Sequence, residues 1–178
     1  MMSAAYVARL IAITLFEAPF PHPDRAFMQM LGIAAQESKL RYFRQLNSGP
    51  ARGIFQIEPR TERDLWKYIH ARPDIAAVIE QRCNLQDPDV VHLECNLPYQ
   101  VLLCRVYLLR IPEALPAEHD LLGQAHYWKK YYNTAAGRGT EEEYIRSYRQ
   151  LIEPLFRKGH DAQDVDPILL TTGCAGAA

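Results

Sequence analysis

A carboxylate and a hydroxyl, Glu37-Ser38, stand together at the end of an apolar run in residues 27–35. The run predicts a largely buried helix over residues 24–45, capped by Asp24, that carries the glutamate. A carboxyl group in apolar surroundings holds its proton to a higher pH, so it can act as a general acid near neutral pH. A glutamate in such a position is more often simply solvated, so Glu37 is a catalytic candidate only together with other polar groups.

A second polar candidate lies in an apolar motif, Gly-Ile-Phe-Gln-Ile-Glu-Pro in residues 53–59, which follows a loop with strong turn signals. Gly53 permits a backbone conformation that residues with a Cβ adopt only at a cost. The isoleucines and the phenylalanine are expected to pack, which leaves Gln56 free to present its amide. Taken alone, Gln56 would be an ordinary turn residue.

The third candidate is the pair Tyr132-Asn133, which follows an aromatic and basic segment in residues 126–131. A phenol and an amide can orient a carboxyl group or a ligand by hydrogen bonding. Alone, the pair also fits the end of a helix and its cap, since asparagine suits the residue after a helix. Tyr42 and Phe43, just beyond the glutamate, are expected to wall any site that these groups share.

The three pieces follow one another along the chain in this order: Glu37-Ser38, residues 53–61 and Tyr132-Asn133. Their order and wording resemble the lytic murein transglycosylases of the lysozyme-like superfamily, whose pattern is Glu-Ser, Gly-Leu-Met-Gln-Ile-x-Pro-x-Thr and then Tyr-Asn. Gly-Pro-Ala-Arg-Gly in residues 49–53 is most similar to bacteriophage members. The family commonly continues Tyr-Asn-Ala-Gly, whereas Thr134 follows the asparagine here.

The resemblance implies a mainly α fold of the α+β lysozyme-like type. That fold is a single helical domain around a buried central helix, with a small β element by the active-site cleft. Residues 99–111 are apolar nearly all round and predict the central helix. Residues 1–160 would form the domain and residues 161–178 a C-terminal tail. A capping box of Thr140 and Glu143 predicts the start of the last helix, which would reach residue 158.

The resemblance also implies a reaction, cleavage of the β-1,4 bond between N-acetylmuramic acid and N-acetylglucosamine in bacterial peptidoglycan. In this family one glutamate, here Glu37, serves first as acid and then as base. The N-acetyl group of the substrate assists departure, and the 6-hydroxyl of N-acetylmuramic acid closes onto C1. The product is a 1,6-anhydro sugar, and neither water nor a cofactor is consumed.

The remaining motif residues receive roles by the same resemblance. Ser38 would fix the acid or contact the sugar. Gln56, or backbone near it at Ile57, would bind the N-acetyl group or the oxygen at the cleavage point. Tyr132 would brace the acid, and Asn133 would hold the loop or the ligand.

Glu58 is a candidate second carboxylate. Most glycosidases use two carboxyl groups, and a second one in the cleft would allow hydrolysis by water instead of transglycosylation. The ordinary alternative is an exposed loop residue. Lys129, Lys130 and Arg138 would either attract an anionic glycan or favour a helix C-terminus.

Bulk composition excludes some classes of function. The chain has 178 residues, of which 48% are apolar and 23% charged, as in a single globular domain. The net charge of −1 provides no basic field, so nucleic acid is not an expected partner. Ten tyrosines and two tryptophans would suit a sugar-binding groove, although tyrosine also fills helical cores.

The cysteines and histidines predict no metal site. Cys83, Cys95, Cys104 and Cys174 match no zinc spacing and are interpreted as free thiols of a reducing cytoplasm. A Cys83–Cys95 or Cys95–Cys104 bond stays open if the protein matures in an oxidising compartment. The remaining candidate ligands, His126 and His160, have no partners at ligand spacing.

The first apolar segment bears on where the protein acts. It lacks a preceding basic region, Arg9 interrupts it, and it is too short to cross a membrane, so a helix capped by Ser3 is predicted instead of a signal peptide. We therefore expect synthesis in the host cytoplasm and action in the periplasm or cell wall. Delivery would be through a lysis pore, as for an endolysin, or within a phage virion.

The expected partners follow from that setting. They are peptidoglycan glycan strands and, in the virion, other phage proteins. The rival hypothesis is a virion structural protein on the same fold with weak or no catalytic activity.

Overall fold

The computed structural model describes residues 3–45, 48–134 and 137–157. These residues are mainly helical, as predicted. The helices are α1 (Ala4–Phe16), α2 (Pro23–Ser38), α3 (Pro59–His70), α4 (Pro73–Cys83), α5 (Val90–Cys95), α6 (Leu97–Leu109), α7 (Leu121–Tyr127), a π-helix (Trp128–Asn133), α8 (Glu141–Leu151) and α9 (Glu153–Phe156). The predicted tail, Cys174, His160 and the predicted helix end at residue 158 lie outside the described residues.

Helix α6 is the buried helix that its apolar sequence predicted. It packs against α1, α2, α3, α4 and α5, and even its Gln100 and Arg105 are buried. The helix begins earlier than predicted because Asn96 caps it, accepting a hydrogen bond from the Tyr99 backbone N–H at 3.2 Å. Pro98 follows in the first turn, where a missing N–H costs nothing.

Helix α2 packs mainly against α8, which is distant in sequence. Gly32 makes the close approach feasible, since a Cβ there would lie 1.8 Å from the Tyr144 hydroxyl oxygen. The same hydroxyl lies 3.3 Å from the Gln29 amide nitrogen. Residues 23–38 thus present one face to α8 and the other to the core.

Both predicted ends of the second helix were wrong. His22, not Asp24, is the N-cap residue, and it has a left-handed backbone with φ of 52°. The helix ends at Ser38 instead of residue 45, because Lys39 and Leu40 adopt positive φ angles of 54° and 57°. That left-handed turn leaves Glu37 in the last turn of the helix rather than within a longer helix.

The predicted β element is reduced to isolated pairs in the described residues. Arg52 bridges to Arg44 on one side and to Ile57 on the other, and no strand forms there. Gln100 of α6 supports the loop from beneath by accepting a hydrogen bond from the Ile54 N–H at 2.9 Å. Gly53 has a φ of 73°, and its N–H donates to the Phe43 carbonyl at 2.9 Å.

A helix cap, the cysteines and the lengths of the helices were also predicted from the sequence. Thr140 and Glu143 form the predicted capping box at the start of α8. The three described cysteines, Cys83, Cys95 and Cys104, are free thiols, so neither disulfide that the sequence left open is formed. Within the described ranges, every helix is too short or too polar to cross a membrane.

Replacement of Gly53 by alanine should destabilise the protein. The new Cβ would lie 2.7 Å from the Leu93 carbonyl oxygen, and the positive φ would add strain of about 1–2 kcal/mol. We expect Gly53→Ala to lower the free energy of unfolding in urea by at least about 2 kcal/mol. Gly49→Ala is the control in the same loop, because Gly49 has no positive φ and the three atoms nearest to its new Cβ belong to the Gln45 side chain. Equal losses in the two variants would contradict the assigned backbone constraint.

Candidate active site

A cleft of about 470 Å³ opens between the end of α2, the loop before α3 and the π-helix. It brings together residues from all three sequence pieces that were singled out for chemistry. The lining residues are Glu37, Lys39, Tyr42, Arg44, Gln45, Ala51, Gln56, Glu58, Tyr132, Asn133 and Gly137. Polar and charged residues dominate this set, so the cleft suits a polar ligand.

Glu37 is the partly buried carboxyl group of this cleft. The Trp128 indole N–H donates a hydrogen bond to its Oε1 at 2.8 Å. Burial raises the pKa of Glu37 above its ordinary value, while the indole and the Lys39 ammonium lower it by less. Because Oε1 accepts the indole proton, Oε2 is the oxygen that would carry the acidic proton toward the cleft.

Trp128 is the functional residue that the sequence reasoning missed. It is the first residue of the π-helix, whose wider turns change the direction of side chains relative to α7. Its ring is buried and lies 5.4 Å from the Tyr144 ring of α8. The sequence did contain a signal for Trp128. It lies four residues before Tyr132, and a buried indole N–H usually finds a hydrogen-bond acceptor.

Tyr132 contacts a different group from the one predicted. Its hydroxyl donates to the Phe55 backbone carbonyl at 2.7 Å, so the acid is braced by Trp128 and not by this phenol. Burial raises the pKa of Tyr132 well above its ordinary value, and the hydroxyl remains a donor. Its role in the structure is to join the π-helix to the loop that carries Gln56.

Gln56 lines the cleft, but its amide nitrogen is not free as predicted. Nε2 donates to the Gly53 carbonyl at 2.7 Å and to the Tyr42 carbonyl at 3.3 Å. The backbone itself is left-handed, with φ of 50°. Within the described ranges the amide oxygen accepts no hydrogen bond, so it is the atom that can meet an N–H of a ligand.

Asn133, the last residue of the π-helix, shares one ammonium group with described residues that follow it. Lys129 Nζ donates to Asn133 Oδ1 at 2.8 Å, to the Thr134 carbonyl at 3.1 Å and to the Gly137 carbonyl at 2.9 Å. Lys130 pairs instead with Glu113. Both lysines are therefore engaged within the protein, and the lysine that lines the cleft is Lys39.

Two predicted contact residues do not line the cleft. The Ser38 side chain is fully buried and donates to the Ala34 carbonyl at 3.0 Å, so it stabilises the last turn of α2. Ile57 is 3% exposed and packs in the core, while its backbone pairs with Arg52. Their positions support the neighbouring cleft residues and leave no side chain to touch a sugar.

Glu58 does line the cleft, at the N-cap position of α3. Its Oε2 forms an ion pair with Arg60 Nε at 2.7 Å, in which the arginine is exposed and the Glu58 side chain is half-buried. Glu58 therefore has a cationic partner, whereas the hydrogen-bond donor to Glu37 is a neutral indole. No group of three or more histidine, cysteine, aspartate or glutamate side chains in the described ranges is placed to hold a metal ion.

No family model, curated protein or solved structure matches this chain. The chemistry of the cleft must therefore be derived from its own geometry.

Replacement of Trp128 by phenylalanine should change the titration of Glu37. The variant keeps an aromatic ring but removes the N–H donor, and we expect the pKa of Glu37 to rise because that hydrogen bond lowers it. Above that pKa, loss of a charge-assisted hydrogen bond should reduce the free energy of unfolding by about 1.5–3 kcal/mol. Carboxyl-carbon NMR titration measures the shift.

Trp66→Phe is the matched control for that titration. Its indole donates to the Tyr99 hydroxyl at 2.7 Å, in a separate buried cluster with Glu62. This variant should also lose stability but leave the Glu37 titration unchanged. A Glu37 pKa that is the same in the Trp128 variant and the wild type would contradict the assigned hydrogen bond.

Replacement of Glu37 by glutamine should stabilise the protein increasingly as the pH rises. The folded state binds the Glu37 proton more tightly than the unfolded state, whose pKa is near 4.5, so wild-type stability falls between that value and the raised folded pKa. Glutamine carries no proton to lose. The difference in free energy of unfolding should be near zero at low pH and grow by about 1.4 kcal/mol per unit of pKa elevation. Urea titrations at pH 4 to 8 that show a constant difference would contradict the elevated pKa.

Proposed function

We propose that the protein is a lytic transglycosylase that cleaves the β-1,4 bond between N-acetylmuramic acid and N-acetylglucosamine in peptidoglycan. The observation that carries the proposal is the half-buried Glu37 carboxyl group, held by the Trp128 indole in a polar cleft. Such an environment raises the pKa of a carboxylic acid and so favours the protonated form that a general acid requires. The substrate in this proposal comes from the sequence resemblance. The proposal also includes the lysozyme-like fold with its small β element.

In the first step Glu37 acts as the acid. Its Oε2 proton passes to the bridging oxygen of the glycosidic bond, and the C1–O bond breaks with both electrons moving to that oxygen. The carbonyl oxygen of the neighbouring N-acetyl group bonds to C1 and takes up the positive charge as an oxazolinium ring. The new Glu37 carboxylate keeps the indole hydrogen bond and the favourable field of Lys39.

In the second step the same carboxylate acts as the base. It removes the proton of the C6 hydroxyl, whose oxygen then bonds to C1 while the oxazolinium ring opens. Glu37 ends the cycle protonated, and no water is consumed. The indole donor therefore stabilises the Glu37 carboxylate that exists between the two steps. It also holds the carboxyl group in one orientation throughout.

The different surroundings of the two cleft carboxyl groups favour transglycosylation over hydrolysis. Glu58 already forms an ion pair with Arg60, so it is poorly suited to activate a water molecule. A single carboxyl group that serves twice needs no such partner. The Gln56 amide oxygen could accept a hydrogen bond from the N–H of the assisting acetamido group.

The biological setting of the proposal is phage infection. A chain made in the host cytoplasm would reach the cell wall either as an endolysin at lysis or within the virion, where it would open the wall locally for DNA delivery. Its partners would be glycan strands and, in the second case, other virion proteins.

Digestion of purified peptidoglycan followed by mass spectrometry tests the proposal. We expect anhydro-muropeptides from the wild-type protein and a loss of about 10²–10⁴-fold in Glu37→Gln, because general acid catalysis contributes that factor. Glu58→Gln should retain most of the activity and the same products.

Other products would lead to different conclusions. Reducing-end muropeptides that vanish in Glu58→Gln would establish hydrolysis with two carboxyl groups. Absence of cleavage by the wild-type protein would contradict the enzyme proposal and favour the virion structural protein.

A further inference from the structure

Tyr42 differs from the buried aromatic residues around the cleft. The residue lines the cleft and is 41% exposed. Neighbouring rings are paired inside the protein, Tyr132 with Tyr107 at 4.9 Å and Trp128 with Tyr144 at 5.4 Å. Within the described ranges the Tyr42 ring stacks on no other ring and its hydroxyl has no hydrogen-bond partner. An exposed aromatic residue within a cleft is a candidate for ligand binding, because ligand sites are lined largely by hydrophobic and aromatic side chains.

The backbone of Tyr42 is held from both sides of the cleft. Its N–H donates to the Ser38 carbonyl at 3.0 Å, at the end of the helix that carries the acid. Its carbonyl accepts the Gln56 amide proton at 3.3 Å. The next residue, Phe43, accepts a hydrogen bond from the Gly53 N–H at 2.9 Å. The ring is thus mounted on a rigid link between the acid and the loop, so binding would cost little conformational entropy.

The chemistry at the rim indicates which flat ligand suits this ring. Nucleobases also stack on tyrosine, but a nucleic-acid strand needs unpaired cations along its backbone. Of the two cations that line the cleft in the described ranges, Arg44 is paired with Glu94 at 2.7 Å, which leaves the single ammonium of Lys39 and no row of cations. A pyranose ring offers an apolar C–H face for stacking and polar hydroxyls at its edge, which matches an amphipathic ring in a polar cleft.

We infer that Tyr42 is a substrate-binding platform on which one N-acetylhexosamine ring of a β-1,4-linked glycan stacks. The inference rests on the proposed function for the class of ligand. It adds that affinity for the glycan depends on an aromatic face at this position, and not on the phenol hydroxyl.

Isothermal titration calorimetry with a β-1,4-linked N-acetylglucosamine tetramer tests the inference in the Glu37→Gln protein, which cannot consume the ligand. We expect Tyr42→Ala to weaken binding about tenfold, and Tyr42→Phe to bind as the parent does within about twofold. The substitution removes no backbone hydrogen bond, so the variant should remain folded. Tyr6→Ala is the matched control, since Tyr6 is 50% exposed on α1 and does not line the cleft.

The outcomes separate this inference from the proposed function. Equal affinities of the Tyr42→Ala protein and its parent would overturn the platform while leaving the enzyme proposal intact. If Tyr42→Phe loses as much affinity as Tyr42→Ala, the hydroxyl and not the aromatic face binds the ligand, and the inference is overturned. Absence of binding by every variant, together with no peptidoglycan cleavage by the wild type, would overturn both.

Discussion

The hydrogen bond from the Trp128 indole to Glu37 joins two requirements that oppose each other. A carboxyl group must be partly buried to hold its proton, yet a buried carboxylate without a donor is costly. One neutral donor stabilises the ionised form without fully reversing the effect of burial, so the pKa of Glu37 stays raised. The surrounding structure serves that balance: α8 orients the indole through Tyr144, and the turn at Lys39 ends the helix beside the cleft.

The loop that faces the acid depends on contacts with two helices and with the residues that follow α2. Gln100 of α6 accepts from the Ile54 N–H, and Tyr132 of the π-helix donates to the Phe55 carbonyl. The residues beyond α2 complete the frame by hydrogen bonding through the Phe43 carbonyl. Because its backbone groups are satisfied by other elements, the loop needs no sheet to hold its shape. Short bridges therefore stand where a small β element was expected.

Local patterns predicted the elements better than the connections between them. The all-round apolar sequence of α6 and the capping box at Thr140 each act within a few residues, and both were predicted. The early end of α2 depends on two left-handed residues whose cost is offset by tertiary contacts, so propensity could not indicate it. The cleft position of Gln56 was predicted, but its hydrogen bonds were not. Trp128 went unnoticed because its partner lies 91 residues away.

The distance in sequence between Glu37 and Trp128 affects when, during synthesis and folding, the carboxyl group reaches its final surroundings. Glu37 is made early, whereas its donor and the helix that orients it lie in the last third of the sequence. Long-range contacts form late, after local helices, because closing the intervening chain costs entropy. A chain still emerging from the ribosome therefore carries an ordinary solvated glutamate. The pKa of Glu37 rises only when the C-terminal helices dock, so completion of the fold itself determines the protonation of this carboxyl group.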